Sequence, residues 1–201
     1  MGRPAEALES DNNAIRLGPK SDRKYFSRAK SYRALHQYRN ALADYDRALD
    51  EDPDDGDYHM GRGEMLDKLG RPHNALKAFT NALDAAERDY KHWLRFYDQH
   101  PELSKPEELD RLRRERKRIE AWANAEIGKI LNDLGDWEKA LEKLNTAIKL
   151  RPDYRNAYMN RGWVFEKQGK IGKARADYEK AAELGQKSNW LKRALDRTRQ
   201  H

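Results

Sequence analysis

Small and apolar residues recur along this chain with a period of 34 residues. We number the positions of each period as columns 1 to 34, with full periods that start at residues 22, 56, 121 and 155. Column 8 holds only alanine or glycine, and columns 20 and 27 hold only alanine. Column 24 holds a large apolar or aromatic residue: Tyr45, Phe79, Leu144 and Tyr178. A fixed period of this length is typical of stacked helix pairs, in which small residues allow close approach and a large one fills the space beside them.

This pattern of small, small, aromatic and small columns resembles the tetratricopeptide repeat family. The resemblance implies an all-α fold, a right-handed α-solenoid of helix-turn-helix repeats with one extended helical hairpin. It places full repeats at 22–55, 56–89, 121–154 and 155–188, an insertion at 90–120 and a capping helix at 189–201. Arg28 and Arg161 depart from the family, because column 7 is usually apolar. The pentatricopeptide family, which reads RNA, is a minor alternative because its residue pattern differs.

A half repeat at 2–21 precedes the first full repeat. It carries Ala7, Ala14 and Ile15 in the columns of a second helix, whereas the matching first helix is missing. Two explanations stay open. The native protein continues upstream, which we favour, or the orphan helix serves as an N-terminal cap.

The insertion at 90–120 continues the helical spacing of its neighbours on both sides. Pro101 marks a turn, and Ser104 with Glu107 fits a capping box. We expect two long helices over residues 73–99 and 105–134, packed as an antiparallel hairpin that projects past the repeats. Near the turn, three aromatic residues and three arginines could form cation-π pairs: Trp93, Phe96, Tyr97, Arg111, Arg113 and Arg114. The aromatic residues either join the two arms or form a partner or dimer site at the tip.

Composition changes this picture little. The chain is 37% hydrophobic and 38% charged with a mean hydropathy of -1.19, values that also occur in disordered chains, but disorder carries no register. The absence of cysteine excludes disulfides and thiolate metal sites. No apolar stretch approaches the roughly 20 residues that span a bilayer. The compartment stays open: cytoplasmic by default, and periplasmic if an upstream signal peptide has been removed.

The net charge of +6 is concentrated in two segments. One is the stretch 111–118 in the insertion, with Arg111, Arg113, Arg114, Arg116, Lys117 and Arg118 against a single acid. The other is the C-terminal helix. Solvated helix faces commonly look like this, so binding of nucleic acid or an anionic surface is an alternative function and not the first prediction.

Candidate chemistry is sparse. The six histidines lack metal-site spacing. The acidic run 50–57 does not fit a calcium loop, which requires glycine at its sixth position and glutamate at its twelfth, where this chain has Asp55 and Gly61. No phosphate loop, nucleophile elbow or zinc-protease motif occurs. We therefore expect no catalytic residue, no metal and no cofactor.

The resemblance implies that the first helix of each repeat lines a concave groove. Carried over by column, the candidate groove residues are Phe26, Lys30, Arg33, Met60, Glu64, Lys129, Met159, Asn160 and Trp163. Their mixture of apolar anchors and both charge signs suits an extended peptide or a helix. A chaperone-tail clamp is disfavoured, because only Asn160 matches its asparagines. We predict a non-catalytic scaffold that binds a protein or peptide partner in this groove, with self-assembly through exposed terminal helices as a further alternative.

Overall fold

The computed structural model describes residues 3–18 and 21–199. Outside the described residues lie Met1, the half-repeat residues Gly2, Pro19 and Lys20, and the capping-helix residues Gln200 and His201. Over the described residues the chain is all-α, with a single 3-10 turn at Pro101–Leu103. The helices are α1 Arg3–Leu17, α2 Asp22–Ala34, α3 Tyr38–Glu51, α4 Gly56–Lys68, α5 Pro72–Gln99, α6 Pro106–Asp133, α7 Trp137–Leu150, α8 Arg155–Lys167, α9 Ile171–Glu183 and α10 Asn189–Arg199.

The helices form two compact units. The first extends to Ile119, and the second begins at Glu120. In the first unit α1 packs on α2, α2 on α3, α3 on α4 and α4 on α5. In the second, α7 packs on α8, α8 on α9 and α9 on α10. Each helix therefore contacts its neighbours in sequence, as stacked helix pairs do.

The two long helices lie where the apolar spacing predicts them. α5 ends at Gln99, and α6 runs from Pro106 to Asp133. Within the first unit, Arg116 of α6 donates to Glu87 of α5 at 3.1 Å, and its guanidinium lies 4.4 Å from the Tyr90 ring centroid. The expected cation-π contacts of Trp93, Phe96 and Tyr97 are not found among the described residues. The arginine stacks at Tyr90 instead, one turn before Trp93 on the same helix.

The turn inside each repeat has one backbone conformation. Column 15 lies in the left-handed region in all four repeats, with φ of 58° at His36, 70° at Gly70, 84° at Gly135 and 71° at Gly169. The amide of the next residue donates to a carbonyl five residues before it, for example Gln37 to Tyr32 and Lys170 to Phe165. This is the hydrogen bond that closes a helix with a left-handed residue, a place where glycine is favoured.

Column 8 is small because the column 24 side chain lies against it. A Cβ on Gly63 would lie 2.6 Å from the Phe79 ring, and one on Gly162 would lie 2.7 Å from the Tyr178 ring. A Cβ on Gly128 would meet the Leu144 side chain at 2.6 Å. The close approach that the columns predict is confirmed in these three repeats.

The contacts of Arg28 and Arg161 explain why column 7 holds an arginine in these two repeats. Arg28 donates from two nitrogens to the buried carboxylate of Asp44, at 2.6 and 2.8 Å, and from the third to Asn12 of α1 at 3.1 Å. Arg161 makes the same set, at 2.8 and 2.7 Å to Asp177 and 2.6 Å to Asn145. Each arginine thus joins its own helix pair to the preceding helix.

Candidate functional site

The groove residues of the first unit lie on α2 and α4. Phe26 is half-buried, with its ring centroid 6.0 Å from that of Tyr45 and 4.9 Å from that of Tyr58. Lys30 is exposed, and its Nζ lies 5.1 Å from the Phe26 ring centroid. Arg33 and Glu64 bind each other at 2.6 Å, across the junction between the first two repeats. A ligand on this face would meet an ion pair and a cation over an aromatic ring.

Met60 does not belong to this face. Its side chain has no exposed surface, so it packs in the core and offers nothing to a ligand. Column 5, which contains Phe26 and Met60, points between neighbouring helices, whereas column 9, with Lys30 and Glu64, retains solvent contact. The expectation that Met60 anchors a partner is therefore corrected.

The groove residues of the second unit lie on α6 and α8. Lys129 is half-buried, with Nζ 4.0 Å from a Glu126 carboxylate oxygen. Trp163 lies edge-on to Trp190 of α10 at 6.3 Å, and Met159 Sδ lies 3.5 Å from the amide nitrogen of Gln186. Both apolar side chains keep part of their surface open to solvent.

Asn160 also leaves the candidate surface. Its amide already has a partner inside the fold, because the amide nitrogen donates to the Ala125 carbonyl of α6 at 3.4 Å. The contact joins two successive first helices of the second unit, which is a structural role. Asn160 thus cannot serve as the clamp asparagine to which its column corresponds.

One further polar residue lies in a column that the family resemblance places in the groove. Asn132 of α6 is 5% exposed, and neither its Oδ1 nor its Nδ2 has a hydrogen-bond partner among the described residues. It occupies column 12. In two other repeats the column 12 residue binds the column 9 residue of the next first helix: Arg33 of α2 binds Glu64 of α4, and Glu166 of α8 binds Arg197 of α10. The column 9 residue after Asn132 is Trp163. An unpaired amide therefore occupies the position where two other junctions have an ion pair.

The end of the second unit is closed by α10. Leu191 and Ala194 are buried against α9, and Ser188 Oγ accepts the Leu191 amide at 3.2 Å. Arg197 of α10 donates to Glu166 of α8 at 2.8 Å. The same two columns form the Arg33–Glu64 pair between α2 and α4, so α10 occupies the place of a first helix in a further repeat. The role of α10 as a capping helix stays a prediction.

The basic segment of α6 is largely neutralised. Four of its six cations have acidic partners: Arg111 with Glu108 at 2.9 Å, Arg113 with Asp110 at 3.1 Å, Arg116 with Glu87 at 3.1 Å and Arg118 with Asp57 at 2.7 Å. Hydrogen bonds to Glu115 and Asp57 raise the pKa of Arg118. Arg114 and Lys117 are exposed. Paired arginines bind phosphates weakly, so the segment gives nucleic-acid binding little support.

Neither a metal centre nor a membrane span emerges from the described part of the chain. Residues 3–18 and 21–199 contain no cluster of three or more histidine or acidic side chains that could hold a metal ion. In the same residues, no helix combines the length and hydropathy needed to cross a bilayer.

Comparison with known proteins agrees with the repeat geometry. Sequence models of the TPR or tetratricopeptide repeat match residues 26–90, 128–169 and 155–188, which together make up more than half of the chain. No curated protein sequence matches at a significant level.

Several solved structures share the fold. MamA matches with a TM-score of 0.64 at 16% identity, over 91% of this chain and 89% of that one. PilF of Pseudomonas aeruginosa matches with a TM-score of 0.70 at 16% identity, over 99% of this chain and 77% of that one. PilW, described as a widely conserved type IV pilus biogenesis factor, matches with a TM-score of 0.68 at 19% identity, over 96% and 79%. At these identities the likeness concerns the fold alone.

Proposed function

Because this chain belongs to the tetratricopeptide repeat family, whose members are generally non-catalytic scaffolds for protein interaction, we propose that it binds a peptide segment along the first helices of its repeats. In the second unit the contact face would comprise Lys129, Asn132, Met159 and Trp163. In the first unit it would comprise Phe26, Lys30 and the Arg33–Glu64 pair.

Asn132 carries this proposal. A buried amide without a partner costs about 1–3 kcal/mol, so a folded chain retains it at the expense of its own stability. Both polar atoms of this amide are covered in the free chain, so a peptide reaches them only when the side chains above them move aside. An extended peptide backbone then offers both a donor and an acceptor, which are the two groups that an asparagine amide requires. The partly exposed rings and thioether of Trp163 and Met159 supply apolar area beside it.

For the test, peptides that bind the intact chain are first selected from a random peptide library. Asn132→Ala should weaken their binding about tenfold, because the hydrogen bonds to the peptide backbone are lost. The free variant should unfold at the same or a higher urea concentration, since an unpaired buried amide has been removed. Isothermal calorimetry and urea unfolding measure the two effects.

Asn160→Ala serves as the contrasting variant. It removes the structural hydrogen bond to Ala125, so it should lower the unfolding midpoint. Selected peptides that bind wild type and Asn132→Ala equally well would contradict the groove proposal. A lower stability of Asn132→Ala would assign Asn132 to the packing of the unit.

A further inference from the structure

The first unit contains a cavity outside the candidate groove. Its volume is about 450 Å³, and it lies between the turn that joins α3 to α4, the middle of α5 and the first half of α6. Ala85, Ala86 and Ile119 form its apolar wall. Six carboxylates line the remainder: Asp52, Asp54, Asp55, Asp57, Asp89 and Glu115.

Basic side chains neutralise only half of these carboxylates. Arg88 binds Asp54 at 2.6 Å, and Arg118 binds both Asp57 and Glu115. Within residues 3–18 and 21–199, Asp52 accepts only the Asp54 amide, and Asp55 accepts the Tyr58 amide. Asp89 has no ion pair among the described residues. Burial raises the pKa of Asp55 to about 6, which agrees with a shortage of positive charge around it.

An aromatic surface continues from this cavity along α5. His92 lines the cavity, and its ring lies 5.8 Å from that of Trp93. Trp93 lies 5.6 Å from Phe96, which lies 4.8 Å from His100. Trp93 is 36% exposed and is one of five exposed large apolar side chains among the described residues. We call these four residues the aromatic face of α5.

The carboxylate cavity and the aromatic face of α5 lie on the same side of one helix. Asp89, His92, Phe96 and His100 follow one another at steps of three or four residues, the spacing that aligns side chains along a helix. Lys91 lies on another side of the helix and binds Glu87 at 3.1 Å. A ligand along α5 would thus meet negative charge at one end and exposed rings at the other.

We propose that this side of α5 is a second docking surface, which accepts a basic peptide segment of another protein. A lysine or arginine of the peptide enters the cavity beside Asp52 and Asp89. Its neighbouring apolar side chains, or a further arginine, pack on Trp93 and Phe96. The charge complementarity selects a basic partner, and the surface is distinct from the candidate groove on the first helices.

The experiment uses a synthetic peptide of about ten residues with alternating arginine and leucine, and a second peptide in which glutamate replaces each arginine. Nuclear magnetic resonance follows the indole N–H signals of the five tryptophans of the intact chain. Trp93→Phe assigns the signal of Trp93. The arginine peptide should shift that signal, and the glutamate peptide should leave it unchanged.

Charge variants in the cavity, with Asp52 after α3 and Asp89 on α5, locate the contact. Asp52→Asn together with Asp89→Asn should weaken binding of the arginine peptide about tenfold, because each carboxylate removed takes away one attraction. Asp84→Asn is the matched control. Asp84 is an exposed carboxylate on the same helix outside the cavity, so its loss should change the affinity less than about twofold.

Three results would overturn the proposal. One is an unmoved Trp93 signal at low salt, and another is an equal loss of affinity in the Asp84→Asn control. The third is a shift confined to the Trp122 and Trp163 signals, which would place the peptide on the candidate groove. Failure of the groove proposal would leave the Trp93 shift unaffected.

Discussion

The first repeat, residues 22–55, and the last, residues 155–188, are joined to the preceding helix by the same three-part polar contact. Arg28, Asp44 and Asn12 form it in one unit, and Arg161, Asp177 and Asn145 form it in the other. The arginine occupies column 7, the aspartate column 23, and the asparagine column 25 of the preceding helix pair. The same residue types in the same columns therefore join a repeat to the preceding helix in both units.

The second repeat shows what the contact depends on. Arg62 again occupies column 7 and binds Asp46 of the preceding helix pair at 2.7 Å. Column 23 of this repeat is Ala78, so the two-pronged contact within the repeat is missing. Asp44 is 1% exposed in its ion pair, whereas the side chain of Asp46 is 48% exposed. Column 23 thus decides whether the arginine binds a buried carboxylate or an exposed one.

The largest effect that this comparison predicts is at Asp44. Asp44→Ala should lower the free energy of unfolding by about 3 kcal/mol, because it leaves the largely buried Arg28 without its carboxylate. Asp46→Ala removes an exposed partner and should cost at most about 1 kcal/mol. Urea unfolding followed by circular dichroism at 222 nm measures both.

A second substitution sharpens the result. Adding Arg28→Ile to Asp44→Ala places an apolar residue in column 7, as Ile127 does in the third repeat, and should recover part of the lost stability. Equal losses for Asp44→Ala and Asp46→Ala would contradict the distinction between buried and exposed pairs.

The two repeats also differ in the residue that starts the following helix. Column 34 is Asp55 in the first repeat and Ser188 in the last, and each side chain accepts the amide three residues ahead. The carboxyl is partly buried, which raises its pKa to about 6, whereas serine does not titrate. Asp55→Ser therefore removes the titratable carboxyl and keeps a side chain that can accept the same amide.

Asp55→Ser should change how stability depends on pH between about 4 and 6. In wild type the folded chain binds the Asp55 proton more tightly than the unfolded chain, so this carboxyl adds stability as the pH falls through that window. The variant should lack that gain, and it should be more stable than wild type by about 1 kcal/mol near pH 7. Unfolding curves at pH 4 and 7 give the difference, and parallel profiles for the two proteins would show that Asp55 is not the titrating group.

The sequence predicted the helices more completely than the site. The end of α5 and the start of α6 could be read from apolar spacing and from Pro101, because those features act locally. The pairing of Arg28 with Asp44 could have been found by comparing two columns. The first and last repeats combine an arginine in column 7 with an aspartate in column 23, whereas the second repeat has the arginine alone. Burial of Met60 and Asn160 was not visible, because columns 5 and 6 point toward a neighbouring helix whose distance the sequence does not give.

The smallest effect predicted concerns column 15, where the first repeat has His36 and the last has Gly169. Both residues adopt positive φ, which strains a residue with a Cβ. His36→Gly should stabilise the chain by about 0.5 kcal/mol, since relief of the strain exceeds both the added chain entropy and the loss of the exposed Nδ1 contact to Tyr38 Oη at 2.7 Å. Tyr38→Phe serves as the control for that contact. A loss of stability in His36→Gly that Tyr38→Phe reproduces would show that the hydrogen bond outweighs the strain, and that the first repeat has a turn of its own kind.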